Sequence, residues 1–129
     1  TIRANVFEGC YVMKKTIKKL DDNVIKALTQ ACETFKQWDC GFDWLTHTAR
    51  YNAFPGSLMI TCVFELDAEV AQAEDTDTAR KMRQVIQANL LKVGVKVKDI
   101  RRHVRLDSEE SCLRDDDGNW QQRLSRWQG

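Results

Sequence analysis

Between Asp21 and Trp38, apolar residues recur at spacings of three and four, the period of a helix with one buried face. The stripe consists of Val24, Ile25, Leu28, Ala31, Cys32 and Phe35. Asp21 or Asp22 can accept hydrogen bonds from the free amides of the first turn, and Gly41 offers a left-handed stop beyond the last turn. The pattern predicts an amphipathic helix from Asp21 to about Trp38.

After Gly41 the alternation of apolar and polar residues takes a period of two, which is typical of strands. One side of the first predicted strand carries Leu45, His47, Ala49 and Tyr51, and the other carries Trp44, Thr46, Thr48 and Arg50. The next strand, residues 57–66, is the most apolar run in the chain, so we expect it to be central in a sheet. The turn-rich connection NAFPGS joins the two strands in a predicted hairpin.

The acidic connection DAEVAQAEDTDT follows the hairpin and has room for a helical turn at residues 68–73. Thr76 or Thr78 then caps a second predicted helix, which Gly94 ends. Its apolar stripe consists of Met82, Val85, Ile86, Leu90 and Val93. Alternation predicts a third strand over residues 95–106. Its apolar face carries Ile100, Val104 and Leu106, and its basic face carries Arg101, His103 and Arg105.

The predicted elements run helix, strand, strand, helix, strand, followed by a short C-terminal helical region. This order defines an α+β domain in which two helices pack on one face of a small, mainly antiparallel, three-stranded sheet. In the C-terminal region Trp120, Leu124 and Trp127 recur at spacings of four and three. We expect this stripe to dock on the sheet or on a second copy of the chain, with Arg123 and Arg126 facing elsewhere.

Residues 1–12 show no clear period, and Met13 opens a basic segment that resembles a natural chain start. We therefore expect residues 1–12 to be an upstream extension or an expression remnant, and residues 13–129 to form a single α+β domain. The 129 residues are 43% hydrophobic and 30% charged, with six Gly and one Pro. This balance is that of a globular protein without long disordered linkers.

No run reaches the roughly 18 consecutive apolar residues of a membrane span, and the N-terminal residues lack the continuous apolar core of a signal peptide. The five cysteines are odd in number and include no CxxC pair, so we expect reduced thiols rather than disulfides. These features together predict a cytoplasmic protein that does not bind a membrane.

The stretch HVRLDSEESCLRDDDGNW, residues 103–120, concentrates acidic side chains behind the basic strand. Asp107 stands where that strand stops and Glu110 follows three residues later, which is the spacing of a capping box at a helix start. The alternative is a metal site or a general acid–base pair, formed by Asp107, Glu109 or Glu110 with His103. We favour the capping interpretation because helix caps are far commoner than catalytic acid pairs.

Other candidate chemistries have weaker support in the sequence. DDDGN is better interpreted as a turn than as a calcium loop, because leucine occupies both end positions of the loop. Cys112 near His103, or Cys40 near His47, is a candidate nucleophile, but the acids around Cys112 raise a thiol pKa. His47 is expected to pack on the sheet or to meet a polar partner. The zinc-ligand pairs and glycine-rich phosphate loops are missing from the sequence, so we predict no cofactor and no metal.

Charge is the remaining pattern. Between residues 92 and 105 only Asp99 opposes six cations, which are Lys92, Lys96, Lys98, Arg101, Arg102 and Arg105. They could neutralise phosphates, but we favour the alternative that they protect an edge strand from pairing with other sheets. The near-balance of 20 Lys plus Arg against 19 Asp plus Glu argues against polyanion binding by the whole molecule. Trp38, Trp44, Trp120 and Trp127 could stack on bases, but core or edge packing is their commoner role.

Several segments resemble a family of small bacterial proteins that are often labelled transcriptional regulators of the Fis family. They are MKKTIKKLDDN (13–23), WLTH (44–47), FPGSL (54–58), CVFELD (62–67), DSEESC (107–112) and GNWQQRL (118–124). The resemblance covers about residues 13–126 and implies a bacterial cytosolic origin, with no catalytic residues to carry over. A Fis-type DNA-binding half is a helix-turn-helix, whereas here the first strong helix leads into a predicted hairpin.

The leading functional prediction is a non-enzymatic binding or regulatory domain that self-associates or binds a protein partner through exposed apolar surface of a strand or of the terminal helix. The alternative is a nucleic-acid-binding module that uses the basic strand, with contacts from Lys96, Lys98, Arg101, Arg102 and Arg105. A third possibility, an enzyme with carboxylates at residues 107–110, requires that those acids line a concave pocket.

Overall fold

The computed structural model describes residues 15–126 and, of Lys15, only the backbone. Its helices are α1 (Lys15–Lys36), α2 (Asp67–Asp75), α3 (Thr78–Lys92), α4 (Glu109–Asp116) and α5 (Trp120–Ser125). Its strands are β1 (Phe42–Thr48), β2 (Met59–Phe64) and β3 (Val104–Ser108). The α+β class and the order helix, strand, strand, helix, strand are confirmed, with α2 as an additional helix. The predicted extension, residues 1–12, and Trp127 lie outside the described residues.

The sheet has the order β1-β2-β3, so the most apolar strand is central, as predicted. β1 and β2 pair antiparallel, with Leu45 opposite Cys62, and β2 and β3 pair parallel, with Cys62 beside Leu106. The expectation of a mainly antiparallel sheet therefore fits β1 and β2, while the whole sheet is mixed. The reason is the connection from β2 to β3, because it runs through two helices and returns the chain to the same end of the sheet.

The main core lies between one face of the sheet and the helices α1 and α3. α1 contributes Val24, Leu28 and Phe35, α3 contributes Met82, Ile86 and Leu90, and β2 contributes Ile60, Cys62 and Phe64. These residues are almost all part of the predicted stripes, and each is buried. Two amphipathic helices thus cover one face of the sheet, as their periodicity predicts.

The opposite face of the sheet carries a second, smaller apolar cluster. It consists of Trp44, Val63, Cys112, Trp120 and Leu124. The rings of Trp44 and Trp120 meet edge to face with centroids 5.1 Å apart. The predicted docking of the C-terminal stripe on the sheet is therefore confirmed for Trp120 and Leu124. Cys112, on α4, fills the same cluster.

Two predicted boundaries are wrong. The first helix begins by Lys15 rather than at Asp21, so Asp21 is not its cap but a buried residue in its interior. The third strand begins at Val104 rather than at residue 95. The residues before it include a 3-10 turn, Ile100–Arg102, which the Asp99 side chain caps by accepting a hydrogen bond from the Arg101 amide. Local hydrogen bonding of this kind competes with a strand ladder.

Candidate functional site

The cation-rich residues 92–105 form a basic segment. This segment lines a surface cavity, the basic cavity, of about 580 Å³ at the end of the sheet where β2 and β3 begin. One wall is the turn before β2, with Pro55 and Gly56. The other wall is the segment before β3, which contributes Lys96, Val97, Lys98, Asp99, Arg102 and His103. Of the five predicted nucleic-acid-binding residues, three therefore meet at one cavity. The turn that completes the cavity is 40 residues away in sequence, and charge pattern alone could not find it.

The segment that carries these cations is fixed at both ends. Val95 is buried in the main core, which anchors its start. At its end the His103 carbonyl accepts a hydrogen bond from the Ile60 amide at 2.7 Å, and His103 Nδ1 lies 2.7 Å from the Leu58 carbonyl oxygen. The cations of the basic segment thus lie on a short connection that is attached to the core and to β2, which limits how far they can move relative to the cavity.

Lys96, Lys98 and Arg102 are exposed, and none of them forms an ion pair with the described residues. Arg101 differs, because its guanidinium binds the Asp99 carboxylate at 3.0 and 3.2 Å. The hydrogen bonds from Arg101 hold the pKa of Asp99 below its usual value. The one carboxylate in the cavity wall is therefore already neutralised, and the three other cations keep their charge for a ligand.

The predicted alternation that would aim Arg101, His103 and Arg105 in one direction is wrong. The Arg101 side chain is 81% exposed, whereas His103 is 8% exposed and Arg105 is partly buried. The alternation fails because the strand begins only at Val104. Burial lowers the pKa of Arg105, which also feels the charges of Asp107 and Arg123 at the far end of β3. Arg105 therefore belongs to another surface than the cavity.

His103, also in the cavity wall, was predicted to lie on the solvent side of a strand. Because a carbonyl oxygen can only accept, His103 Nδ1 must donate to the Leu58 oxygen. Its Nε2 makes no hydrogen bond within the described residues, which leaves that nitrogen for a ligand. An imidazole nitrogen can form a hydrogen bond with a polar group of a ligand there.

The predicted capping box at residues 107–110 is wrong. The cap is Ser108, whose Oγ accepts a hydrogen bond from the Ser111 amide at 2.9 Å. Asp107 is instead buried and binds Arg123 through two hydrogen bonds of 2.6 and 2.9 Å. Glu110 accepts a hydrogen bond from the Asp67 amide, which starts α2. Sequence spacing misled here because the partners of these acids are 16 and 43 residues away.

Arg123 is the centre of a buried ionic network that joins β3, α4 and α5. Besides Asp107, it binds the Asp116 carboxylate at 3.0 Å, and Arg126 binds that same carboxylate at 2.7 Å. Hydrogen bonds from Arg126, Arg123 and Gln122 lower the pKa of Asp116 to about 2 against the penalty of burial. The prediction that Arg123 faces away from the docking stripe is therefore wrong.

Glu109 of this stretch and Asp67 of α2 also have structural partners. Glu109 accepts a hydrogen bond from the Trp120 indole at 2.5 Å. Asp67 accepts hydrogen bonds from the hydroxyls of Ser108 and Ser111 and from Arg114, and these bonds hold its pKa below the usual range. The acids of residues 107–110 thus connect helices rather than converge on an open site. Within residues 15–126 no group of three His, Cys, Asp or Glu side chains could hold a metal ion.

The described cysteines and His47 lie outside the basic cavity, and most of them are buried. Cys32, Cys40, Cys62 and Cys112 are all free thiols. Burial raises the pKa of Cys112, the acids nearby raise it further and Arg123 opposes them, so the predicted direction is confirmed with burial as its main cause. His47 is fully buried and its Nε2 lies 3.0 Å from Asp21, which confirms the predicted polar partner. Tyr51 donates to the same carboxylate oxygen.

A second charged cavity, of about 270 Å³, lies at the other end of the sheet. Its wall carries one cation, Lys36, and four carboxylates, from Asp39, Asp43, Glu65 and Glu69. A larger groove of about 880 Å³ shares part of this wall and extends along α2 to Lys81. This acidic cavity was not predicted, because two segments far apart in sequence, residues 39–43 and 65–69, contribute its carboxylates.

Comparisons of the chain with protein-family models, with curated proteins and with solved structures gave no match. The resemblance to proteins labelled as Fis regulators therefore stays a prediction. No helix of the described part of the chain is long and apolar enough to cross a membrane.

Proposed function

We propose that this chain is a non-enzymatic binding domain that recognises an acidic segment of a protein partner at the basic cavity. The observation that carries the proposal is the meeting of Lys96, Lys98 and Arg102, all exposed and without ion pairs among the described residues, beside a carboxylate that Arg101 already neutralises. An acidic ligand would gain three charge-assisted contacts there without displacing an internal partner of these cations.

The shape of the cavity also suits a chain segment. Its wall combines the charged groups with apolar surface from Pro55 and Val97. Binding sites of this kind use apolar walls for contact area and a few polar groups to fix orientation. His103 Nε2 supplies such a polar group, because it has no hydrogen-bond partner among the described residues. An acidic residue of the partner can thus meet the lysines while a neighbouring side chain contacts the apolar wall.

A protein partner is favoured over a nucleic acid because the aromatic side chains serve the fold. Trp44 and Trp120 are buried against each other, and Trp38 packs on Phe35 with ring centroids 5.2 Å apart. Exposed aromatic platforms are the usual means of binding single-stranded nucleic acid. The described residues instead offer three cations around one concave site, which is a short track for a phosphate backbone.

The helix pairs of the structure give no better support to DNA binding. α4 and α5 are joined by a three-residue turn, but α5 has only six residues and its Arg123 is held in the buried ionic network. α2 and α3 are joined by a two-residue turn, and α2 carries four acidic residues and no basic residue. Such a surface repels phosphates.

A titration with a fluorescently labelled Glu-rich peptide tests the proposal. We expect Lys96→Ala/Lys98→Ala to weaken binding about fivefold to tenfold, since each exposed charge contact contributes up to about 1 kcal/mol. The matched control is Lys19→Ala/Lys26→Ala, which makes the same change in net charge on exposed positions of α1. The control should bind like the unaltered chain, and equal losses in both double variants would contradict the proposal.

Competition with nucleic acid separates the rival function. Duplex and single-stranded oligonucleotides are added to the peptide complex at about 50 mM and about 200 mM salt. If the cavity binds a protein partner, oligonucleotides should displace little of the bound peptide at the higher salt concentration. If an oligonucleotide binds more tightly than the peptide, with a logarithmic salt slope of about −3 for three phosphate contacts, the nucleic-acid alternative replaces the proposal.

A further inference from the structure

The two charged cavities lie at opposite ends of the central strand. Pro55 and Gly56, in the basic cavity, precede β2, and Glu65, in the acidic cavity, directly follows it. The six residues of β2 span about 20 Å, at roughly 3.3 Å per residue. This distance exceeds the Debye length of about 8 Å at physiological ionic strength. Each end of the molecule therefore presents its own electrostatic field.

The charges of the two ends are equal and opposite. At the acidic end, four carboxylates face one cation, Lys36, which lies over the Phe42 ring at 5.9 Å. At the basic end, Lys96, Lys98 and Arg102 remain after Asp99 is paired with Arg101. Counting carboxylates, lysines and arginines alone, the acidic cavity thus carries a net charge of −3 and the basic cavity +3. The near-zero total charge of the chain conceals this separation.

At the acidic end, contacts with the backbone hold one of the carboxylates, that of Glu69, in place. The Glu69 carboxylate accepts a hydrogen bond from the Leu66 amide at 2.9 Å and lies directly against Gly41. A Cβ atom at Gly41 would clash with that carboxylate in its present position, and the positive φ of 90° at Gly41 also favours glycine there. Asp43 and Glu65 are exposed beside it. Their carboxylates can reach a second molecule without disturbing the core.

We infer that the partner of the basic cavity is a second copy of this chain, bound head to tail, with the acidic end of one copy against the basic end of the next. This inference rests on the proposed function and names its partner. Like ends repel, so a symmetric contact between two basic or two acidic ends is disfavoured, whereas opposite ends attract. A head-to-tail contact repeats, so copies add to form a ring or a filament.

Charge reversal at one end at a time tests this inference. Lys96→Glu/Lys98→Glu makes both ends acidic, and Asp43→Lys/Glu65→Lys makes both ends basic. Sedimentation velocity at ionic strengths of about 0.01 M and about 1 M measures association, because the Debye length falls from about 30 Å to about 3 Å over that range. We expect the unaltered chain to associate with rising concentration at low ionic strength and to be monomeric at high ionic strength.

Mixing the two variants is the decisive step. Each should stay monomeric alone, because its two ends repel, and an equimolar mixture should recover association at low ionic strength. Circular dichroism checks that each variant is folded, and Lys19→Glu/Lys26→Glu, on exposed positions of α1, is the matched control that should associate normally. Loss of association in that control, or association of either reversed variant alone, would overturn the inference.

The peptide titration keeps the two proposals separate. If the unaltered chain stays monomeric and the mixed variants do not associate, while the Glu-rich peptide still binds the unaltered chain and not Lys96→Glu/Lys98→Glu, the self-association is wrong and the proposed function stands. If the peptide does not bind the unaltered chain and neither the unaltered chain nor the mixture associates, both proposals are wrong.

Discussion

Two charged regions lie at the two ends of β3, and they differ in whether their cations form ion pairs within the fold. At the end of the strand, Arg123 is 8% exposed and forms ion pairs with Asp107 and Asp116, so its charge is neutralised within the fold. Before the strand, Lys96 and Lys98 are exposed and form no ion pair with the described residues. Charges of the first kind stabilise the fold, and charges of the second kind remain for a partner. The density of charged residues along the sequence does not distinguish the two kinds.

The largest expected effect comes from removing the centre of the buried network. Arg123→Met leaves Asp107 and Asp116 buried without their shared partner, which should lower the free energy of unfolding by about 3–5 kcal/mol. Urea denaturation followed by circular dichroism measures the change. Arg126→Met is the control, since that side chain is half exposed and, of the two buried acids, binds Asp116. An equal loss in both variants would show that Arg123 has no special place in the network.

The buried contact of Asp21 should have the next largest effect. Asp21→Ala leaves His47 Nε2 without its partner in the core, which should cost about 1–3 kcal/mol of stability. Within residues 15–126 the neighbouring Asp22 pairs only with the exposed Lys18, so Asp22→Ala should cost about 0.5 kcal/mol or less. Thermal unfolding of both variants makes the comparison. If the order is reversed, Asp21 is not a structural residue of the kind described above.

The loss of folding stability at low pH provides a third comparison, between the buried Asp116 and the exposed Asp117. The pKa of Asp116 is lowered from 3.8 to about 2, so its ionised form stabilises the fold above about pH 4, and that contribution is lost as the pH falls towards 2. Asp116→Asn should therefore flatten the decline of the urea midpoint between about pH 4 and pH 2. Asp117→Asn is the control, because Asp117 is exposed and asparagine accepts its left-handed backbone. It should leave the pH profile unchanged.

The smallest effect distinguishes paired from unpaired cations within the basic segment. Asp99→Asn/Arg101→Gln removes a neutral pair, so peptide affinity should stay within about twofold. Arg102→Ala removes one unpaired cation of the cavity wall and should weaken peptide binding about threefold. Isothermal titration with the Glu-rich peptide compares them. A greater loss in the double variant would show that the Asp99–Arg101 pair itself contacts the ligand.

Periodicity along the chain predicted most of the architecture. The stripes of α1 and α3 and the apolar face of β2 form the main core, because burial on one face imposes a repeat that is visible in the residues themselves. The boundaries of α1 and β3 were less predictable. The first turns of α1 include the exposed Lys18 and Lys19, and residues 95–102 alternate although they lie outside the sheet, before β3.

The candidate site was predictable only in part. Charge density identified Lys96, Lys98 and Arg102 but could not show that Asp99 neutralises Arg101 or that Arg105 belongs to another surface. The opposing wall and the acidic cavity depend on contacts between segments far apart in sequence, and a single sequence does not reveal such contacts. For the same reason, the acids of residues 107–110 were interpreted as caps although Asp107 pairs with Arg123, 16 residues further on.

The most direct test of the contrast between the two ends of β3 is a nuclear magnetic resonance titration of the unaltered chain with the Glu-rich peptide. The amides of residues 96–103 and of Gly56 should shift in a saturable way, and those of α4 and α5 should stay in place. Saturable shifts centred on residues 107–126, with residues 96–103 unchanged, would contradict the assignment of the free charges to the basic cavity.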